Sequence, residues 1–453
     1  MTSPRPTIAI IGAGLAGAYM ALYLGQRRFN VQVYERRADP RSATVASSGP
    51  SMNLGLSQRG VRALTDVGLI DEVMQQAIPM RGRMIHAIHG ARTFQSYGKD
   101  DRQVIYAIKR NNLNKTLITA AERLPHVCFH FNQRCVSIDK QARTVQMHNE
   151  QTDQPTCITA DIIIGADGVF STVRQQMQRG ERANYQQEFL DWGWKELTIP
   201  PSPSGESVLE QNVFHLWPRG NCMIFAHPNL DGRFCCSCLL PFEGQPSFAS
   251  LQTEAAVSAF FAELFSDIVP LTPNLVADFM HNPIIPLISV HTSPWYYQDW
   301  IVLLGDAAHA VYPFYAQGMN AAFEDCLTLG ACLERHWGQW AAAFADYQTQ
   351  RKQNTDALAA LSEQNFIELR DRVRSPLVRV HKHVDWLLSR LFPQTWAPLH
   401  AMISHTTIPY SEVLQHARRQ DRTLVGVGLS AVLSATLLVY RAIRRRHKPH
   451  IEV

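Results

Sequence analysis

Six residues near the start of the chain, Gly12-Ala13-Gly14-Leu15-Ala16-Gly17, leave few folds open to it. Just before them, TIAII at 7–11 is a short apolar run of the kind that forms a strand buried on both faces of a parallel sheet. After them come an apolar-rich stretch of helical length, AYMALYLGQRR, and a second strand-like run, FNVQVYE, ending in Glu35. Strand, glycine turn, helix, strand and acid in that order give the G-x-G-x-x-G spacing its meaning. Gly12 permits the tight turn, Gly14 lets a pyrophosphate approach the backbone, and Gly17 lets helix and strand pack closely. The helix N-terminus offers free N–H groups and the positive end of its dipole to the phosphates. Glu35 is placed to accept hydrogen bonds from a ribose. A dinucleotide-binding α/β unit is expected, and this motif leaves NAD or FAD open.

Two later segments decide between them. Asp161-Ile162-Ile163-Ile164-Gly165-Ala166-Asp167-Gly168 reads as a buried strand breaking into a glycine-flanked acid, followed by Ser171-Thr172-Val173-Arg174. Ile301-Val302-Leu303-Leu304-Gly305-Asp306-Ala307-Ala308-His309 is another buried strand ending in an acid at a helix start. With the glycine motif, these are the three fingerprints of the single-component flavoprotein hydroxylases, which the chain resembles in order and spacing. The resemblance implies resident FAD, with Asp306 bonding its ribityl chain and Gln317, Gly318, Met319 and Asn320 along the isoalloxazine edge. It also assigns Ala16, Arg36, Gly55, Arg110, Cys135, Asp167 and Thr172 to the cofactor. No second G-x-G-x-x-G is present for a nicotinamide domain, which fits a reductant that binds transiently; the resemblance implies NADPH, with O2 as oxidant.

Further segments resemble the kynurenine 3-monooxygenase family in particular. They are Asn53-Leu54-Gly55-Leu56-Ser57-Gln58-Arg59-Gly60, Ile78-Pro79-Met80-Arg81-Gly82-Arg83-Met84-Ile85-His86, and Gln317 to Asn320 followed by Phe323-Glu324-Asp325-Cys326. Carried over by position, Arg83 pairs with the carboxylate of an aromatic amino-acid substrate, and Tyr97, Asn365 and Tyr410 add hydrogen bonds. A guanidinium fork matches a carboxylate bidentately, and phenol hydroxyls extend such a network. Pro313 and Phe314, with Leu216, Met223, Ile224 and Phe242, are candidates for an apolar slot over the flavin. His309 reads as structural. Three positions depart from the family pattern: Pro50 for arginine, Ala316 for glycine before Gln317, and Tyr315 where several relatives carry Phe. The implied reaction is oxygen transfer to the ring of L-kynurenine, giving 3-hydroxykynurenine. Three alternatives stay open: a hydroxylase of another amino-acid or anthranilate-like aromatic, a flavin-dependent reductase or oxidase that transfers no oxygen, and a membrane-anchored flavoprotein scaffold without turnover.

The expected architecture is α/β. A Rossmann-type FAD-binding domain (1–75, 105–180, 285–345) joins a β-sheet substrate domain (76–104, 181–284) in an aromatic-hydroxylase fold. A helical cap (346–420) and a transmembrane tail anchor (423–440) follow. TLVGVGLSAVLSATLLVY is an uncharged run of about the length a bilayer needs. Five basic residues beyond it, against Glu452 alone, account for the whole formal net charge of +4. The rest of the chain is therefore neutral, and no basic face for nucleic acid is implied. The anchor would hold the catalytic part on the cytoplasmic side, at the mitochondrial outer membrane in a eukaryote or the inner membrane in a bacterium. The start, MTSPRPT, leaves no room for a signal peptide before the first strand. Nine scattered cysteines suit a reducing compartment, and Cys235 and Cys238 read as small apolar fillers rather than metal ligands.

Overall fold

The computed structural model describes residues 5–42, 52–98, 103–372, 384–385, 387–392, 395–424 and 426. Its first layer is a six-stranded sheet ordered Tyr296–Tyr297, Ile301–Leu303, Ile162–Gly165, Thr7–Ile11, Asn30–Tyr34 and Val127–His130. All neighbours run parallel except the first pair. Ile8, Ile10, Ile163, Ile164 and Val302 are almost wholly buried, as expected of strands covered on both faces. The helix Leu15–Gln26 covers one face and packs on Gly318–Arg335 and Arg110–Glu122. At Gly330 a Cβ would meet the Tyr23 ring at 2.0 Å, so a glycine is what lets those two helices approach.

The second layer is a seven-stranded sheet: Ile285–Ser293, Asn184–Ile199, Phe234–Pro241, Met223–Pro228, Phe214–Pro218, Gly82–His86 and Arg92–Ser96. Its side chains alternate between two cores, as period-two geometry requires. Leu216, Met223 and Leu239 join Trp192, Tyr312 and Phe366 on one face. Trp217, Ile224, Cys238 and Leu240 join Phe261 and Phe279 from the helices Glu254–Leu264 and Leu275–His281 on the other. The long helix Trp340–Ile367 then crosses the first core face, and Leu399–His405 packs near Gln58–Asp66.

One expectation is corrected. Among the described residues no helix is long and apolar enough to cross a membrane. Apart from 423, 424 and 426, the run 423–440 lies outside the described residues. The helical stretch leading into it carries exposed Arg418, Arg419, Asp421 and Arg422, which belong in water. The fold is thus an α/β aromatic-hydroxylase architecture without a transmembrane helix among its described elements. Pro50 also lies outside the described residues.

Candidate functional site

The three sequence fingerprints converge at the carboxyl ends of adjacent parallel strands. The register aligns Ile11 with Gly165 and Tyr34, and Gly165 with Leu303. The glycine turn, Glu35, Asp167 and Asp306 therefore follow one edge of the sheet, where open α/β sheets bind ligands. Gly12 turns with φ +105°, and a Cβ there would strike the Ala166 carbonyl at 2.4 Å. At Gly17 it would strike the Gly12 carbonyl at 1.9 Å, whereas at Gly14 it would meet nothing within 4 Å. The first and third glycines thus close the turn, and the second leaves open space at a helix N-terminus. The Glu35 carboxylate accepts from Ala13 N at 2.8 Å and Arg37 N at 3.0 Å, keeping lone pairs for a further donor.

Asp306 starts the short helix Asp306–His309 and is exposed to solvent, yet protein surrounds it at longer range, so it lines an internal cleft. That enclosure raises its pKa, while the charges of Arg110 and His309 oppose the shift. Its carboxylate has no hydrogen-bond partner among the described residues. Arg110, at the start of the helix Arg110–Glu122, is exposed on the same cleft, and Glu196 feels its charge as well. The helix Gly318–Arg335 begins here too, and its first turn offers N–H groups without intrahelical acceptors. An acid that accepts from hydroxyls, a cation, a bare glycine and two helix N-termini form a donor and acceptor set that fits FAD.

A second corner lies at the seven-stranded sheet. Arg83 pairs in register with Gln95 and donates to its Oε1 from Nε at 2.8 Å. The terminal nitrogens of Arg83 have no partner among the described residues. Burial pushes the Tyr97 phenol up to about 12, and the Arg83 cation pulls the other way. Tyr315 is raised likewise by burial and also feels Arg83. The Tyr97 ring stacks on His400 with centroids 4.8 Å apart, and Tyr315 lies 6.4 Å from the same imidazole. Asn365 Nδ2 donates to the Phe314 carbonyl at 2.7 Å, holding the turn Pro313–Tyr315. The Phe314 ring lies tilted against Phe366 with centroids 4.8 Å apart, and Leu216, Met223, Phe214 and Phe225 complete an apolar wall.

Known proteins with this arrangement supply the family. A family model described as an FAD binding domain matches residues 5–362. The chain is 47% identical over 450 residues to a kynurenine 3-monooxygenase of Salinispora arenicola, covering 98% of this chain and 99% of that one. It is 42% identical over 419 residues to the enzyme of the same name from Dictyostelium discoideum, covering 89% of each. The chain belongs to the kynurenine 3-monooxygenase family. Solved structures agree in fold. 2-methyl-3-hydroxypyridine-5-carboxylic acid oxygenase superimposes with a TM-score of 0.67 at 21% identity, covering 83% of this chain and 95% of that one. PqsL of Pseudomonas aeruginosa, in complex with 2-aminobenzoylacetate, gives 0.65 at 18% identity, covering 82% and 98%.

Within this kynurenine 3-monooxygenase frame, several residues expected at the site prove to be committed elsewhere. Tyr410 is fully buried and its hydroxyl donates to Gln317 Oε1 at 2.8 Å. Phe242 lies with Phe248 in the core on the opposite face of the sheet, and strand alternation sends Ile224 there as well. Asn320 spends its amide on Ser57 N, Gly55 O and Ala316 O, all within 3.0 Å. The side chains of Gln317 and Asn320 are therefore bonded within the protein. Asp167 accepts from Ser171 Oγ at 2.5 Å and Val173 N at 3.1 Å, anchoring the start of the helix that opens at Thr172. Cys135 sits in the first core, its thiol pushed up to about 12 by burial and the nearby Asp167 charge. A Cβ at Gly305 would meet the Ala16 methyl at 3.4 Å and one at Gly55 the Ala316 methyl at 3.1 Å, and Arg36 is exposed.

Reading the sequence missed the ionic frame behind the cleft. His309 Nε2 meets Asp325 at 2.5 Å, and Asp325 also accepts from Arg351 Nε at 2.7 Å. Arg351 reaches Glu324 at 3.1 Å, and Glu324 accepts from Arg59 at 2.6 Å. Burial alone would raise the Asp325 pKa, but His309 and Arg351 hold it below the usual carboxylate range. His309 is thus structural, as expected. Arg59, Glu324 and Asp325 stood inside the family-like runs, but nothing local marks a charge as buried.

Proposed function

We propose that this chain is an FAD-dependent, NADPH-driven monooxygenase that hydroxylates L-kynurenine to 3-hydroxykynurenine with O2. Family membership over nearly the whole chain supports the reaction. The observation that carries the substrate class is Arg83, a half-buried guanidinium beside Tyr97 at the end of an apolar wall, with neither terminal nitrogen bonded among the described residues. A fork with unsatisfied donors next to phenols suits a carboxylate, and the wall suits an aryl ring.

In this reading, Arg83 and Tyr97 orient the amino-acid end, and the Oδ1 of Asn365 is left to accept from its ammonium. The turn Pro313–Tyr315 and the wall Leu216, Met223 and Phe225 hold the ring and keep water out. The 12–17 turn, Glu35, Asp306, Arg110 and the backbone of 318–320 would hold FAD, which when bound would supply the redox and oxygen chemistry. The N–H groups of the first turn, 318–320, and the dipole of their helix would favour negative charge on a ligand placed at that helix end. The aryl amine of kynurenine already activates the ring carbon beside it, so no side chain is assigned to proton abstraction. Segments 1–75, 105–180 and 285–345 serve the cofactor, 76–104 and 181–284 the substrate, and 346–420 caps the site.

The test is NADPH oxidation by the purified yellow protein with and without L-kynurenine, with mass analysis of the product. Stimulated oxidation giving a product one oxygen heavier is expected. Stimulation giving only peroxide would make kynurenine an effector, and none at all would favour a different aromatic.

A further inference from the structure

The strand Met223–Pro228 sends Met223 and Phe225 to the apolar wall and Ile224 to the opposite core. Alternation turns His227 the same way as Met223 and Phe225. The register of His215 with Ala226 puts Phe214 opposite His227, and Phe214 in turn pairs with Arg83. The Phe214 and His227 rings meet accordingly, with centroids 4.6 Å apart and planes at 54°. His227 and Arg83 therefore share a row two strands apart, about 10 Å between Cα atoms at the usual strand spacing. Phe214 and Tyr97 pack against the same small core of Ile78, Met80, Ile105 and Ala107, which ties the row to the Arg83 corner. His227 is half-buried, yet protein surrounds it at longer range, so like Asp306 it lines an internal cleft. Burial pushes its imidazole down to about 4, which keeps the ring neutral, with one N–H to donate and one bare nitrogen. Neither nitrogen has a hydrogen-bond partner among the described residues. An aliphatic side chain would complete the wall at lower cost, because enclosing a polar group without a partner is unfavourable.

We propose that His227 is a specificity-determining contact of the substrate, donating its N–H to the keto oxygen that lies between the amino-acid end and the aryl ring. With the carboxylate on Arg83 and the ring against Leu216, Met223 and Phe225, the ketone falls between those two ends. His227 borders both, sharing a row with Arg83 and a strand face with Phe225. The aryl amine beside the ketone is chiefly a donor, so the keto oxygen is the acceptor that suits a neutral imidazole N–H. A site that turns an enclosed donor toward this oxygen selects aryl ketones, because an analogue without the oxygen leaves the donor unpaired. The proposal rests on the kynurenine reading above.

His227→Leu keeps much of the bulk and removes both nitrogens. On the full chain loaded with FAD, the Kd of L-kynurenine is measured by calorimetry. The same titration is run with 2-amino-4-(2-aminophenyl)butanoate, which carries a methylene in place of the ketone. The leucine variant is expected to lose about fivefold in affinity for L-kynurenine, the worth of one hydrogen bond, and less than about twofold for the methylene analogue. His227→Gln restores a donor and should bind L-kynurenine within about twofold of wild type. An equal loss for both ligands would make His227 a matter of shape, and an unchanged Kd for L-kynurenine would leave it no contact at all. Either result overturns the proposal. His227→Met, also without a donor, repeats the comparison if leucine does not pack. A wild type with no affinity for L-kynurenine removes the functional reading and the proposal with it, whereas a binding wild type with an unaffected variant removes the role of His227 alone.

Discussion

Asp306 and Asp325 flank the same cleft and live in opposite circumstances. Asp306 is accessible, enclosed at longer range and without a hydrogen-bond partner among the described residues. Asp325 is wholly buried and bonded to both His309 and Arg351. Burial raises the pKa of Asp306, whereas its partners hold Asp325 below the usual range. A folded chain leaves few buried polar groups unsatisfied. An enclosed acid with open lone pairs therefore marks where a ligand belongs, and a saturated one marks the frame. Arg83, whose terminal nitrogens have no partner among the described residues, and Arg59, stacked and bonded, repeat the contrast among cations.

The largest expected effect breaks the frame. Asp325→Ala leaves Arg351 and His309 without their shared counter-charge and should cost about 3–5 kcal/mol in urea denaturation. A loss near zero would mean the frame is incidental. In wild type, the stability contributed by this depressed carboxyl is complete above its unfolded value near 4. It should disappear as pH falls from there through the lower folded value, a slope that Asp325→Ala should flatten.

Next come the open groups, whose removal should spare the fold. Arg83→Ala should raise KM for L-kynurenine about a hundredfold while the purified protein keeps its FAD. Loss of flavin with unchanged KM would move Arg83 into the cofactor frame. Asp306→Asn should weaken FAD about tenfold in apoprotein titrations and leave the melting point of the apoprotein almost unmoved. A large fall in apoprotein stability would place Asp306 with Asp325 instead.

The smallest effect concerns strain between the two regions. Ala316 ends the turn Pro313–Tyr315 with φ +53°, in the left-handed region that glycine tolerates. Ala316→Gly should stabilise the protein by about 0.5–1 kcal/mol. A destabilisation would show that contact of the methyl with Gly55 outweighs the strain.

Much of the architecture was legible in residues 7–35 and in the strands ending at Gly165 and Leu303. Buried parallel strands, glycine turns and the acids after them are local patterns. Arg83 and Tyr97 were found through family-like runs, and the structure brings them together. The Tyr410–Gln317 bond and the packing of Phe242 in the opposite core were not legible, because a residue type in a run does not say which way a side chain turns or what it meets. The expected tail anchor rested on composition alone, and the described helix leading to it is charged.

The sequence by itself determined the dinucleotide-binding fold, the flavin rather than nicotinamide fingerprints, and the family, because turns and strand periods are set by residues a few positions apart. Only the tertiary structure decided which charges are spent and which are free. Arg59 and Ile408 are 349 residues apart, and Ser57 and Asn320 are 263 apart. No local rule pairs groups at such separations; packing alone brings them within hydrogen-bond reach, and leaves the Asp306 carboxylate and the Arg83 terminal nitrogens without a partner among the described residues.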